Sequence, residues 1–291
     1  MNLRILEYLV TVAELGHFTK AAKKCYVSQP TLSTQLKKLE DQLGVIIFER
    51  DNKNVMLTRT GAKIVHQAKQ VLLEAKELTV IAKNSSNPLS GKFKIGIIPT
   101  IGPYIIPTII KEVKEQLSDI KLIVVEDDAA NLTSQLKNGE LDAVIVSSPI
   151  SSMKGVHFEV ISEEKLFVAL HADHELASEG KLKQIDLIKE TILTLDESHC
   201  LRELIVNIFS EDQISKDFKA NNLTTLMHLV AQNQGITIIP KMAIEDCPPN
   251  VRVIPLDHVN ASRQIKIGSR TLNARMDALK SISSLLEEIC N

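Results

Sequence analysis

Along the first 43 residues, apolar positions recur at helical spacing and the pattern breaks twice. Leu3, Leu6, Leu9, Val10 and Ala13 predict a first helix ending near Gly16. Phe18, Ala21, Ala22 and Cys25 predict a second, with small residues suited to close packing and Cys25 on its core side. Tyr26 and Val27 break the pattern. Ser28 then offers a side-chain oxygen to cap a third helix, and Pro30 falls in that helix's first turn, where its missing N–H costs nothing. Leu32, Leu36, Leu39 and Leu43 give the third helix a buried stripe. The opposite face carries Gln29, Thr31, Ser33, Thr34, Gln35, Lys37 and Lys38, side chains that hydrogen-bond base edges or phosphates. Two short helices joined this way predict a helix-turn-helix whose second helix lies in a DNA major groove.

Ile46 to Phe48 and Val55 to Leu57 flank the polar run Arg50 to Asn54, which predicts a small β-hairpin, a wing. Arg50, Lys53 and Arg59 are placed to reach phosphates; plain loop solubility explains each of them as well. From Thr60, Ile64, Ala68, Val71, Leu72, Ala75, Leu78 and Ala82 fall on one face of a long helix with no obvious partner in the first 60 residues. A second copy of the chain is expected to cover it. Asn84 to Gly91 reads as a linker.

From Lys92 strands alternate with helices. Strands are expected over 93–98, 121–126 and 141–146, with helices over 103–117 and 129–137. A second unit starts near Glu164, with strands over 166–170, 192–195 and 236–239, a helix after Cys200 and another over 224–232. The chain returns to the first unit around Ile265 to Ser269 before a final helix over 274–289. This alternation predicts a parallel sheet covered by helices, in two α/β lobes with a cleft between them. The chain is thus read as α+β and α/β. Residues 1–60 form a winged helix-turn-helix, 61–91 a linker and dimerisation helix with hinge, and 92–291 a two-lobed regulatory domain. Lobe I spans about 92–163 and 268–291, and lobe II about 164–267.

Charge supports the division. Residues 1–87 hold 13 Lys and Arg against 8 Asp and Glu, a surplus of five positive charges, while the remainder holds 21 against 28. A basic front on an acidic rear suits a nucleic-acid module joined to a domain that does not bind nucleic acid. No apolar run reaches the ~18 residues of a membrane span, and the start of the chain is not a secretion signal, so a cytoplasmic location is expected. The four cysteines, Cys25, Cys200, Cys247 and Cys290, lack zinc-ligand spacing and are expected as free thiols; no metal or cofactor is implied.

Two stretches at strand ends carry candidate chemistry. Thr100 and Gly102 follow the first strand, and His199-Cys200 open a helix after another. The positive end of a helix favours thiolate, and His199 and Arg202 add to that, so Cys200 is a candidate nucleophile toward peroxide. The plainer reading is a small apolar residue at a helix start. Asp127-Asp128 and Glu287-Glu288 read as solvated faces.

The stretch AAKKCYVSQPTLSTQLKKLEDQLGVIIFER, with TRTG after it, resembles the LysR-type transcriptional regulators, and the resemblance runs the length of the chain. It implies dimers built on the long helix, usually paired into a homotetramer, and a two-lobed effector domain like a periplasmic binding protein. It also implies binding to interrupted inverted repeats of double-stranded DNA and contact with RNA polymerase. Within that family IGIIPTIGPYIIP, LDESHCLRE and the run ending GITIIP resemble the OxyR group of hydrogen-peroxide sensors. That resemblance assigns the peroxide-reacting cysteine to Cys200 and pocket residues to His199, Thr100 and Arg263, with Arg202 beside them and Glu203 in place of an Asp. Two positions depart from the group: Phe209 stands where it has its resolving cysteine, and Ala129 where it has a second pocket threonine. The usual intramolecular disulfide is therefore not available. Cys200 then stops at sulfenic acid or a mixed disulfide with a small thiol, pairs with Cys247 or Cys290, or is idle. Rival functions are a metabolite-responsive regulator with a passive Cys200, a cysteine-dependent peroxidase, and a solute-binding protein.

Overall fold

The structure is a computed structural model that describes residues 1–50, 55–84, 87–147 and 153–290. It separates into two compact units, Met1–Lys83 and Asn84–Asn291.

In the first unit, α1 (Leu3–Leu15), α2 (Phe18–Lys24) and α3 (Gln29–Leu43) are followed by the antiparallel strands β1 (Phe48–Arg50) and β2 (Val55–Leu57) and the helix α4 (Arg59–Asn84). The termini follow local chemistry. Asn2 caps α1 by accepting from the Ile5 N–H, and Gly16 and Gly44 close α1 and α3 in the left-handed conformation. The core is Leu6, Tyr8, Leu9 and Val12 of α1, Ala21 and Ala22 of α2, and Leu32, Leu36 and Leu39 of α3, with Ile47, Phe48, Val65 and Ala68.

Several positions differ from the sequence reading. On α1 the buried face is turned toward Tyr8 and Val12, leaving Leu3 exposed. Leu43, expected in the stripe of α3, is 40% exposed, because the helix ends there and Gly44 turns the chain away. Cys25 is the C-cap of α2 and only partly buried. On α4, Val71, Leu78 and Ala82 are exposed, whereas Val65, Ala68 and Leu73 are buried. The hairpin begins at Phe48, leaving Ile46 exposed; Phe48 packs edge-on against Phe18 at 5.7 Å between ring centres. Two devices hold this corner. Glu40 accepts from the N–H groups of Ile47 and Phe48, and Thr58 caps α4 through the Gly61 N–H while donating to the Ile46 carbonyl.

The second unit runs β3 (Gly91–Ile97), α5 (Gly102–Gln116), β4 (Ile120–Glu126), α6 (Ala129–Lys137), β5 (Ala143–Ser147) and β6 (Val156–His171). Then follow β7 (Leu182–Lys183), β8 (Ile192–Leu193), α7 (Cys200–Ile208), α8 (Leu223–Val230), β9 (Ile236–Pro240), β10 (Val251–Asp257), β11 (Ser262–Arg270) and α9 (Met276–Cys290). The sheet is mixed, not parallel. β3 pairs with β4 and β5 in parallel, but β11 is antiparallel to both β5 and β6, and β6 is antiparallel to β9 and β10. One 16-residue strand, β6, serves two buried clusters. Residues 156–165 pair with β11 beside the cluster of β3, β5, α5 and α9; residues 166–171 pair with β9 and β10 beside the cluster of α7, α8 and β9. Asp128, expected on a solvated face, instead caps α6 by accepting from the Asn131 N–H.

Candidate functional site

The pairing that lets β6 serve two clusters also builds a charged centre. Glu164 on β6 lies opposite Arg263 on β11, so the two side chains leave the same face of the ladder. Arg263 is 1% exposed. Its Nε donates to Glu164 Oε1 at 2.6 Å, Nη1 donates to Thr100 Oγ1 at 3.0 Å, and Nη2 donates to the Thr100 carbonyl at 3.0 Å. The second Glu164 oxygen accepts from the Met242 N–H at 3.2 Å. A buried ion pair is tolerable only when its remaining donors and acceptors are met, and here they largely are. Thr100 is reached because β3 ends at Ile97 and turns through Ile98 into α5.

Cys200 is the first residue of α7 and half-buried. Burial pushes its thiol above the ordinary cysteine value, and the Glu203 carboxylate one turn on adds to the rise; its own backbone N–H, Arg263 and the Ser147 hydroxyl oppose it. The thiol is thus shifted opposite to the expected bias toward thiolate, because desolvation and Glu203 outweigh the hydrogen bonds and the guanidinium that favour the anion. Arg202 is turned toward Thr194. Its Nη1 donates to Thr194 Oγ1 at 2.5 Å, pinning α7 to the segment before it. His199 is a buried N-cap residue that makes no side-chain cap; it acts on Asp196, whose carboxyl is lowered first by hydrogen bonds from Ser198. Phe209 is buried at the C-cap of α7, and Ala129 is the first residue of α6.

The structure thus joins Arg263 to Thr100 and places Cys200 within electrostatic reach of Arg263, with His199 adjacent to Cys200 in the chain. It adds Glu164 and Ser147, which sequence reading missed. Glu164 sits in the polar run Ser162 to Lys165, and only the register of a strand 99 residues away gives it a partner. Two other thiols, Cys247 and Cys290, are more strongly held protonated. Cys247, beside the Met227 sulfur at 3.4 Å, is pushed up to about 11 by burial and Asp246, and Cys290 to about 11 by burial and Glu164.

On α3, Gln29, Pro30, Thr31, Thr34, Lys37 and Lys38 are exposed, and Ser33 is partly buried. Thr31 is partly spent on the helix start, since its N–H and hydroxyl both engage Ser28 Oγ. Arg50 ends β1, and Lys53 lies outside the described residues. Among the described residues no helix is long and apolar enough to cross a membrane, and no group of three or more His, Cys, Asp or Glu is placed to hold a metal ion.

Residues 3–62 match the model of the bacterial regulatory helix-turn-helix proteins of the lysR family, and residues 86–290 match that of the LysR substrate binding domain. The chain belongs to the LysR family. This LysR-type regulator is 36% identical over 292 residues to a hydrogen peroxide-inducible genes activator of Haemophilus influenzae, covering 99% of this chain and 97% of that protein. It is 39% identical over 246 residues to the DNA-binding transcriptional dual regulator OxyR of Escherichia coli, covering 84% and 80%. A solved full-length OxyR variant from Pseudomonas aeruginosa matches with a TM-score of 0.78 at 32% identity, over 98% of this chain and 94% of that one. These relatives are transcriptional regulators and not enzymes.

Proposed function

We propose that this LysR-type regulator senses hydrogen peroxide through Cys200 and relays its oxidation to DNA. The observation that carries the reading is the thiol at the start of α7 under the influence of the buried Arg263, which Thr100 and Glu164 hold in place. A fixed guanidinium within electrostatic reach of the sulfur favours the thiolate as attack proceeds. The relatives' names, peroxide-inducible activator and OxyR, support the same effector. With a buried phenyl ring at Phe209, the product is sulfenic acid or a mixed disulfide with a small thiol, both of which change charge and size at a packed helix start.

The working arrangement is a winged helix-turn-helix over 1–60, a linker helix and hinge over 61–91, and a regulatory domain over 92–291 with two lobes meeting where β6 passes from β11 to β9 and β10. The exposed Val71, Leu78 and Ala82 of α4 suit dimerisation, with dimers pairing into tetramers on interrupted inverted repeats in the cytoplasm and contacting RNA polymerase. Gln29, Pro30, Thr31, Ser33 and Thr34 read bases, while Lys37, Lys38, Arg50 and Lys53 hold phosphates.

Intact-protein mass spectrometry before and after low-micromolar peroxide, with Cys200→Ser alongside, tests the sensing role. A mass gain or disulfide that depends on Cys200 is expected. An unmodified Cys200 at saturating peroxide refutes it. One observation favours a second reading: burial keeps the Cys200 thiol protonated, as suits a passive residue in a metabolite-responsive regulator. Peroxide-insensitive DNA binding would select that reading.

A further inference from the structure

Ser147 ends β5 fully buried, and among the described residues its Oγ has no hydrogen-bond partner. An unpaired buried hydroxyl is costly, so its position calls for a polar guest. The sheet fixes where it faces. Ser147 lies opposite Ile265 in the β5–β11 ladder, and side chains of opposed residues share a face. Arg263, two residues along β11, leaves that same face. On the other side of β5, β3 leads into Thr100, which receives Arg263. Cys200 is close enough for the Ser147 hydroxyl to favour its thiolate. A buried hydroxyl whose influence falls on the Cys200 thiol, with capacity left for a further partner, thus stands on the face of the sheet from which Arg263 reaches Thr100.

We propose that Ser147 relays the proton in the reaction of Cys200 with hydrogen peroxide. This rests on the sensing role argued above. Sγ attacks one peroxide oxygen; the S–O bond forms as the O–O bond breaks. The thiol proton passes to Ser147 Oγ while the Ser147 proton passes to the departing oxygen. Thiol and hydrogen peroxide become sulfenic acid and water, sulfur losing two electrons and peroxide gaining them. The relay answers two needs at once. A buried thiol must lose its proton to attack, and the leaving oxygen must gain one to depart as water.

The test uses the full-length reduced protein and its Ser147→Ala and Ser147→Thr variants. Quenched peptide mass spectrometry gives the rate at Cys200 with hydrogen peroxide and, separately, with iodoacetamide, which needs the thiolate but no protonated leaving oxygen. Ser147→Ala is expected to slow peroxide oxidation roughly 100-fold, the lower range of general acid–base catalysis, and alkylation far less. Ser147→Thr, which keeps the hydroxyl, is expected to recover most of the peroxide rate. Equal slowing of both reactions would mean that Ser147 acts only on thiol acidity and would overturn the relay. So would an unchanged peroxide rate in Ser147→Ala beside a reactive wild type. A wild-type Cys200 inert to peroxide would overturn the sensing role, and the relay with it.

Discussion

Arg263 and Glu164 face each other across the β11–β6 ladder, and their side chains close the same pair at 2.6 Å. The pair sits where β6 changes partners, so charge, strand register and the thiol's surroundings are coupled at one place. Arg263→Leu leaves the Glu164 carboxylate buried without its cation, and is expected to cost about 3–5 kcal/mol in denaturant unfolding. Arg263→Leu combined with Glu164→Leu should recover much of that, because no charge is then stranded. A double variant no more stable than the single one would count against a charge-balance origin.

Arg202 is one turn inside α7, yet its guanidinium is spent on Thr194. Arg202→Met should therefore weaken the anchoring of the helix, by about 1–3 kcal/mol for a lost charged hydrogen bond. The alkylation rate of Cys200 in the folded protein should stay within about twofold. A large fall in thiol reactivity would return Arg202 to the role its sequence position suggests.

Cys247 and Cys290 are each held protonated in the fold, at about 11 against an ordinary 9.0, mainly by burial. The unfolded chain releases these protons first as pH rises. Their contribution to stability is thus complete below pH 9 and is lost between 9 and about 11. Unfolding midpoints measured across that window should fall for the wild type and fall less steeply for a Cys247→Ala, Cys290→Ala variant. Parallel curves would assign the alkaline loss to other groups. Tyr104, raised from 10.0 to about 12 by burial and Asp246, loses its own contribution between 10 and about 12 and so overlaps the upper part of this window.

How much of this could be read from the chain depends on how local each cause is. The start of α3 was legible because Ser28, Pro30 and the leucine spacing act within a few residues. Leu43 was misplaced because one glycine redirects the chain after it. β6 was half seen: Leu166 to Leu170 is apolar, but Ser162 to Lys165 looks like a loop until β11 is laid beside it. β10 was missed, since Pro255 argues against a paired strand although it lies opposite Phe167. Cys200 and Thr100 were singled out by their places at strand ends, and Arg263 through family motifs. The raised thiol was not legible, because desolvation is a property of the packed molecule.

On α3, Gln29 and Lys37 test different parts of DNA recognition. Gln29 is exposed at the first helical position, and its amide matches adenine bidentately. Gln29→Ala is expected to cost about 1–3 kcal/mol on the preferred operator and little on unrelated DNA, so selectivity falls while salt dependence stays. Lys37 lies two turns on, exposed, and a phosphate contact there carries no sequence information. Lys37→Ala should weaken every sequence alike and lower the slope of log affinity against log salt by about 1. Titrating both variants against operator and scrambled duplexes at several salt concentrations separates the two. If Gln29→Ala lowered affinity equally on both duplexes and flattened the salt slope, the glutamine would be a backbone contact, and the base-reading residues would have to be sought further along α3, at Thr34.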